Sequence, residues 1–203
     1  MDLQMILGVM KILTHKYWEE RYEKGDTGWD MGIPSPPLKA YLDQVEDKNK
    51  ALLIPGAGHG YELEYALSLG FTNITVLDYA EAPLQAIRNR LPENERFRLV
   101  QSDFFDHHDT YDLILEQTFF CALSPTLRND YVRHMHRVLK SGGKLVGLLF
   151  QFPLTESGPP FGGSIAEYWE RFEPLFSIQT LETCYNSIPP RQGNELFFIF
   201  NKK

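Results

Sequence analysis

The sequence is poor in cysteine, in long apolar runs and in surplus basic charge, and each shortage removes a class of protein. It has two cysteines, Cys121 and Cys184. Their number and spacing fit neither a disulfide framework nor a zinc site. They are expected to be reduced, buried thiols in a cytoplasmic protein. No apolar run approaches the roughly 18–20 residues that cross a bilayer, so no membrane partner is expected. The apolar stretch Met5–Met10 follows Asp2 and lacks a small-residue cleavage site, which predicts a helix lying on the body rather than a signal peptide. Lysine and arginine number 20 against 27 acidic residues, a net charge of −7. That balance disfavours a nucleic-acid binder with a broad basic face, because phosphate contacts need clustered cations. The histidines form no ligand set. His107-His108 lies in a polar loop and is expected to be solvated. His134 and His136 are two apart on a predicted helix and point to different sides. No metal is expected, and Arg128 and Arg133 are expected to be surface charges.

What is present is enough apolar residue, 43% of 203, to bury a substantial core. A single domain over 1–203 is expected, with residues 1–46 set apart as a helical and looped beginning. The run Tyr17-Trp18-Glu19-Glu20-Arg21-Tyr22 predicts a helix, and the segment from Gly25 to Pro37 is too rich in glycine and proline for helix or strand. A short helix through Leu38–Val45 follows. From residue 50 the pattern alternates. Strands are predicted at Ala51–Ile54, Asn73–Leu77, Phe97–Gln101, Tyr111–Glu116, Lys144–Phe150, Phe176–Leu181 and Leu196–Asn201. Helices are predicted at Tyr61–Leu69, Ala80–Arg90, Pro125–Leu139 (with Ser124 as N-cap) and Ser164–Phe172. Alternation of this kind implies a Rossmann-like α/β sandwich around a mostly parallel sheet. The last two strands lack a helix between them and are expected to pair antiparallel at the sheet edge. The gap between the third and fourth strands leaves room for only a short helix or none.

The segment Pro55-Gly56-Ala57-Gly58-His59-Gly60 joins the first strand to a helix, where glycines let the backbone turn tightly and approach a ligand. Asp78 ends the next strand, 20 residues after Gly58, placed to accept hydrogen bonds from a ribose diol, with Tyr79 beside it. A dinucleotide site wants Gly-x-Gly-x-x-Gly, but Tyr61 stands where the third glycine belongs. The spacing Gly-x-Gly-x-Gly suits S-adenosylmethionine, which has no pyrophosphate to seat on a helix N-terminus. After the third strand, Asp103 and Phe104 are candidates for the adenine amino group and ring face; a turn in which Asp103 serves Phe105 or Asp106 is the other reading. The fourth strand ends at Glu116-Gln117-Thr118, at the sheet end where open α/β folds bind ligands.

Four stretches resemble one family: Trp18–Tyr22 with Thr27-Gly28-Trp29-Asp30; Pro55–Glu62; Thr118-Phe119-Phe120-Cys121-Ala122-Leu123; and Gly158-Pro159-Pro160-Phe161. From about Trp18 to Pro190 the chain resembles the thiopurine methyltransferase superfamily, and within it the halide/thiocyanate/thiol methyltransferase branch. The resemblance implies a class I methyltransferase fold with a seven-stranded sheet, an antiparallel C-terminal strand and S-adenosylmethionine as cofactor. It implies an N-terminal lid, with Trp29 and more loosely Trp18 against the methionine end. It also implies that Phe161 and Tyr168 line the acceptor pocket. The thiopurine branch has Asp-Arg, and the halide branch Asp-Tyr, where this chain has Glu116-Gln117.

Methyl transfer from a sulfonium is an in-line displacement that needs positioning and water exclusion more than acid–base work. Thiols, halides and thiocyanate make few demands for a base, and no catalytic dyad is visible. Trp29, Phe119, Phe120, Phe152, Phe161 and Tyr168 are the candidate walls of a dry pocket, with core packing the alternative for Phe119 and Phe120. The candidate set is therefore Trp29, Pro55, Gly56, Gly58, Gly60, Asp78, Tyr79, Asp103, Phe104 and Glu116 for the cofactor. Trp18, Gln117, Phe119, Phe120 and Phe161 are the candidates for a small-molecule acceptor, and Tyr168 for handling a proton. A thiopurine-type or other small-molecule S-, O- or N-methyltransferase and a non-catalytic cofactor sensor are the competing functions. A monomer is the default expectation.

Overall fold

In the computed structural model, which describes residues 13–92, 94–156 and 158–203, each apolar run bounded by turn residues becomes a strand. β1 (Leu52–Pro55) and β2 (Ile74–Asp78) are buried at every position, as strands covered on both faces must be. They are joined by β3 (Phe97–Gln101), β4 (Tyr111–Gln117), β5 (Leu139–Phe150), β6 (Phe176–Thr183) and β7 (Glu195–Lys202) in one seven-stranded sheet of order 3-2-1-4-5-7-6. β7 runs antiparallel to both its neighbours, so the reversed strand lies inside the sheet and β6 forms the edge. The order reverses between β1 and β4, and a ligand crevice opens at such a switch point, outside the carboxyl ends of the strands.

Helices cover both faces. On one face, α2 (Pro36–Asp43), α3 (Tyr61–Ser68) and α4 (Glu81–Arg90) bury Leu38, Leu42, Leu63, Leu84 and Ile87 against β1 and β2. On the other, α5 (Arg128–Val138) and α6 (Ile165–Phe172) bury Tyr131, Met135, Tyr168 and Phe172 against β4, β5 and β7. α6 starts where expected, with the Ser164 hydroxyl accepting from Glu167 N at 3.2 Å. α1 (His15–Glu23) precedes the sheet. The helix expected at Met5–Met10 lies outside the described residues.

Three local expectations need correction. Pro125–Leu127 is a separate 3₁₀ turn, and α5 begins only at Arg128. Ser124 caps nothing with its side chain, whose hydroxyl pairs instead with Thr126 Oγ1 at 2.9 Å. Arg128 is not a surface charge but fully buried. Its guanidinium donates to Glu167 Oε1 and to Gly162 O, each at 2.7 Å, and lies 4.9 Å from the Phe120 ring centroid. His107 is buried rather than solvated, with Nε2 2.7 Å from the Tyr111 hydroxyl. Arg133 does stay at the surface, paired with Asp130.

Candidate active site

The glycine turn takes its shape from backbone that only glycine tolerates at low cost. Gly56, Gly58 and Gly60 all have φ between +52° and +76°. A Cβ added at Gly56 would sit 2.9 Å from the Phe119 ring, and one at Gly60 2.7 Å from Ile87, whereas Gly58 faces open space. Asp78 locks the turn: Oδ2 accepts from Ala57 N and Oδ1 from Ala80 N, both at 2.8 Å. Burial pushes the Asp78 carboxyl up to about 6, against the opposing effect of those N–H groups.

Around this turn lies a cavity of about 770 Å³, within the usual size range of small-molecule sites. Of the expected cofactor residues, Trp29, Pro55, Gly56, Gly58, Asp78, Tyr79, Asp103 and Phe104 border it. Asp103 takes up the turn role, its Oδ1 accepting from Phe105 N at 2.8 Å, while it also borders the cavity. Gly60 shapes the turn from behind. Of the expected acceptor residues, Trp18, Gln117 and Phe119 border the cavity, and so do Pro159 and Pro160.

Four expected residues stand elsewhere. Glu116 is fully buried behind the wall, its oxygens engaged by Phe119 N, Phe120 N and the Tyr131 hydroxyl. Phe120 packs into the core at 4.9 Å from the Tyr131 ring. Phe161 is buried under the loop, its N–H donating to Cys121 O at 2.8 Å. Tyr168 is buried too, and its hydroxyl donates to Phe150 O at 2.6 Å. Burial also pushes the Tyr168 phenol well up, away from any proton-handling range. Of the other candidate walls, Phe152 is replaced by Phe150 at the end of β5.

The sequence reading missed Tyr22, Cys121 and Arg191, which also border the cavity. Arg191 Nη2 donates to Trp29 O at 2.7 Å, across 162 residues of chain, while Nη1 pairs with Glu195 at 3.3 Å. The one local signal was the Pro189-Pro190 pair that stiffens the turn before it.

The chain's beginning is fastened over the cavity. The Glu19 carboxylate accepts from Glu81 N, and from Ala82 N at 3.3 Å, taking the unpaired donors at the start of α4. Ser35 N donates to Glu62 Oε1 at 2.9 Å. Trp29 is wedged between Trp18 (ring centroids 5.6 Å apart) and Tyr22 (5.5 Å), with the Arg21 guanidinium 4.8 Å from its ring. Aromatic edge contacts contribute about 0.5–1.5 kcal/mol each beyond area burial. Trp29→Ala removes these contacts and loosens the segment over the cavity, so it is expected to lower the thermal midpoint by a few degrees and to weaken binding of an adenosyl ligand by about 5–20-fold; thermal unfolding and calorimetric titration check it.

A model of the thiopurine S-methyltransferase family matches residues 13–200. The chain belongs to this family. It is 31% identical over 184 residues to a probable thiol methyltransferase 2 of Arabidopsis thaliana, covering 88% of this chain and 81% of that protein. It is 30% identical over 186 residues to thiocyanate methyltransferase 1 of the same plant, with the same coverage. Among solved structures, it superposes with a TM-score of 0.74 on a 1,6-didemethyltoxoflavin-N1-methyltransferase from Burkholderia thailandensis. That structure holds 1,6-didemethyltoxoflavin and S-adenosylhomocysteine; the match is 18% identical and covers 100% of this chain and 91% of the other.

As a member of the thiopurine S-methyltransferase family, this is an S-adenosylmethionine-dependent methyltransferase. The cavity fits that cofactor on its own terms. The Gln117 amide is buried with neither Nε2 nor Oε1 partnered among the described residues, the mark of a side chain waiting for a ligand. Among the described residues no cluster of side chains could hold a metal ion, and no helix is long and apolar enough to cross a membrane.

Proposed function

We propose that this methyltransferase acts on a small soft nucleophile: a thiol, hydrosulfide, thiocyanate or halide. The observation that carries this reading is the chemistry of the wall at the end of β4. The cavity residues from Thr118 to Leu127, with Phe150, Pro159 and Pro160, include no carboxylate, imidazole or amine. A nucleophile entering there must arrive as an anion or ionise readily. The similarity to thiol and thiocyanate methyltransferases points the same way.

S-adenosylmethionine, when bound, supplies a methyl group on a sulfonium that needs no further activation. The glycine turn and Asp78 would hold the adenosyl part, with Asp103 and Phe104 at the adenine and Trp29 near the methionine end. Residues 13–46 act as a lid that keeps water out, pinned by Glu19, Glu62 and Arg191. Gln117, Phe119 and Cys121 face the acceptor, and the guanidinium of Arg191, which also borders the cavity, offers a positive charge to an incoming anion. Displacement by an anion at that methyl carbon would release S-adenosylhomocysteine and the methylated acceptor, and this chain's residues would have no proton to take. Free, buried Cys121 and Cys184 are consistent with a cytoplasmic setting.

Labelled S-adenosylmethionine with thiocyanate, iodide, hydrosulfide and an alkyl or aryl thiol tests the reading. Methylated product is expected from at least one sulfur anion. At pH above about 7.5 the rate with thiocyanate should be flat, while that with an alkyl thiol of pKa near ~8.5 should climb with its ionisation. Tight binding of S-adenosylhomocysteine with no turnover of any of these would overturn it and favour a sensor.

A further inference from the structure

Glu116 closes β4 just behind the acceptor wall, and nothing in the methyl transfer itself requires it. It is fully buried, and among the described residues no lysine or arginine forms an ion pair with it. Both oxygens are nonetheless fully used. Oε1 accepts from Phe119 N at 2.8 Å and Phe120 N at 2.9 Å, and Oε2 accepts from the Tyr131 hydroxyl at 2.5 Å. A buried carboxylate without a counter-cation is costly unless hydrogen bonds compensate it, and here two of the three are spent on one turn and the third on α5.

That turn is the acceptor wall. Thr118 holds φ +57°, a left-handed conformation that a β-branched residue adopts only when its surroundings impose it. Cys121 Sγ donates to Thr118 O at 3.3 Å, and Cys121 O in turn accepts from Phe161 N, tying the proline loop to the same turn. Phe119 rests on Gly56, so the turn also meets the glycine loop. Space for Glu116 is kept by Gly147 on β5: a Cβ there would lie 2.3 Å from Glu116 O and 2.4 Å from its Cβ.

We propose that Glu116 is a positioning residue for the acceptor: by gripping the N–H groups of Phe119 and Phe120 it fixes the turn that presents Gln117, Phe119 and Cys121, without touching cofactor or acceptor. The inference rests on the acceptor chamber proposed above. The ionisable groups facing the carboxylate are Tyr131 from α5, Cys121 from the turn and Tyr168 from α6, all three held neutral by burial. Burial pushes Glu116 up to about 7, and the Tyr131 hydrogen bond opposes that rise. The ionised form with three donors therefore prevails above about pH 7, and protonation below it weakens that set of hydrogen bonds.

The test is steady-state kinetics with thiocyanate at saturating S-adenosylmethionine, on the full chain, for wild type, Glu116→Ala, Glu116→Gln and Tyr131→Phe. Calorimetric titration with S-adenosylhomocysteine accompanies each. Misplacing an acceptor by about 1 Å can lose on the order of 100-fold in rate, so Glu116→Ala should lower kcat/KM for thiocyanate by about 10–100-fold, largely through kcat. Its S-adenosylhomocysteine affinity should stay within about 3-fold. Glu116→Gln, which still offers an oxygen to both N–H groups, should restore most of the activity at pH 8 and lose the acid limb that wild type shows near 7. Tyr131→Phe should move that limb upward. If Glu116→Ala fails to fold, the Gln and Tyr131→Phe variants carry the test through the acid limb alone. Unchanged thiocyanate kinetics in the variants, an acid limb near 7 that survives Glu116→Gln at saturating S-adenosylmethionine, or a parallel loss of S-adenosylhomocysteine affinity would each overturn the role. Absence of wild-type turnover would instead count against the acceptor reading, so the two fail separately.

Discussion

Asp78→Ala is expected to weaken S-adenosylhomocysteine binding by at least about 100-fold while leaving the sheet intact. Hydrogen bonds to a charged group contribute about 1.5–3 kcal/mol each, and a ribose diol would make two, so a loss near 3 kcal/mol is the lower bound. The variant also frees Ala57 N and Ala80 N, which Asp78 now holds at 2.8 Å, and so loosens the glycine turn. The pH dependence has a definite sign. With the carboxyl pushed up to about 6, the form that accepts ribose hydroxyls prevails only above that pH. Affinity should therefore fall as pH is lowered through about 6 in wild type, and this fall should vanish in Asp78→Ala. The apo fold responds oppositely. Because the folded pKa is raised, the folded state holds the proton more tightly than the unfolded chain, and the Asp78 contribution to stability grows as pH falls from about 6 towards 4. Calorimetric titration at several pH values measures the first effect and thermal unfolding of the apo protein the second. An Asp78→Ala protein that binds S-adenosylhomocysteine within a few-fold of wild type would remove this carboxylate from the site.

Arg128→Ala should produce a large loss of stability. Its guanidinium is fully buried, holds Gly162 O and Glu167 at 2.7 Å, and lies over Phe120. Truncation leaves the Gly162 carbonyl unpaired and opens space beside Phe120. Glu167 keeps Arg171 at 2.8 Å and some solvent, so the penalty stays at the low end for breaking a buried pair, about 2–4 kcal/mol. For a domain of this size that lowers the thermal midpoint by about 5–15 °C. Lysine should not rescue it, because one ammonium cannot serve two divergent acceptors as a planar fork does. The same variant releases the loop carrying Pro159 and Pro160, so acceptor KM should rise while S-adenosylhomocysteine affinity holds. Unfolding by heat and by denaturant measures the first effect. A change in stability of less than about 1 kcal/mol would mean that the buried cation is not what fastens this loop.

The glycine-turn side of the cavity was legible in the sequence because its signals are local and act through the backbone. A glycine turn after an apolar strand, an aspartate ending the next strand and Asp103-Phe104 after the third each bring the consequence with the residue. All of them except Gly60, which acts from behind, reach the cavity. The strands were legible for the same reason, although the insertion of β7 between β5 and β6 depends on which edge was free. The acceptor half was not legible, because burial of its polar residues is decided by partners far away in sequence. Arg128 looks like a surface charge until Gly162 and Glu167, 34 and 39 residues on, close over it. Tyr168 looks like a pocket phenol until Phe150 O claims its hydroxyl. Glu116, at the mouth of β4, reads as a cofactor ligand until the chain turns back and its own next residues bond to it. Arg191 has no local signal beyond the Pro189-Pro190 pair before it, and the packing of the C-terminal turn on Trp29 brings it to the cavity.

A crystal structure with S-adenosylhomocysteine bound tests the assignment most directly. The ribose is expected within hydrogen-bond distance of Asp78, the adenine beside Asp103 and Phe104, and the sulfur facing the wall of Gln117, Phe119 and Cys121 under Trp29. Density for the nucleoside at any other place on the chain, with the turn at Gly56–Gly60 left empty, would contradict it.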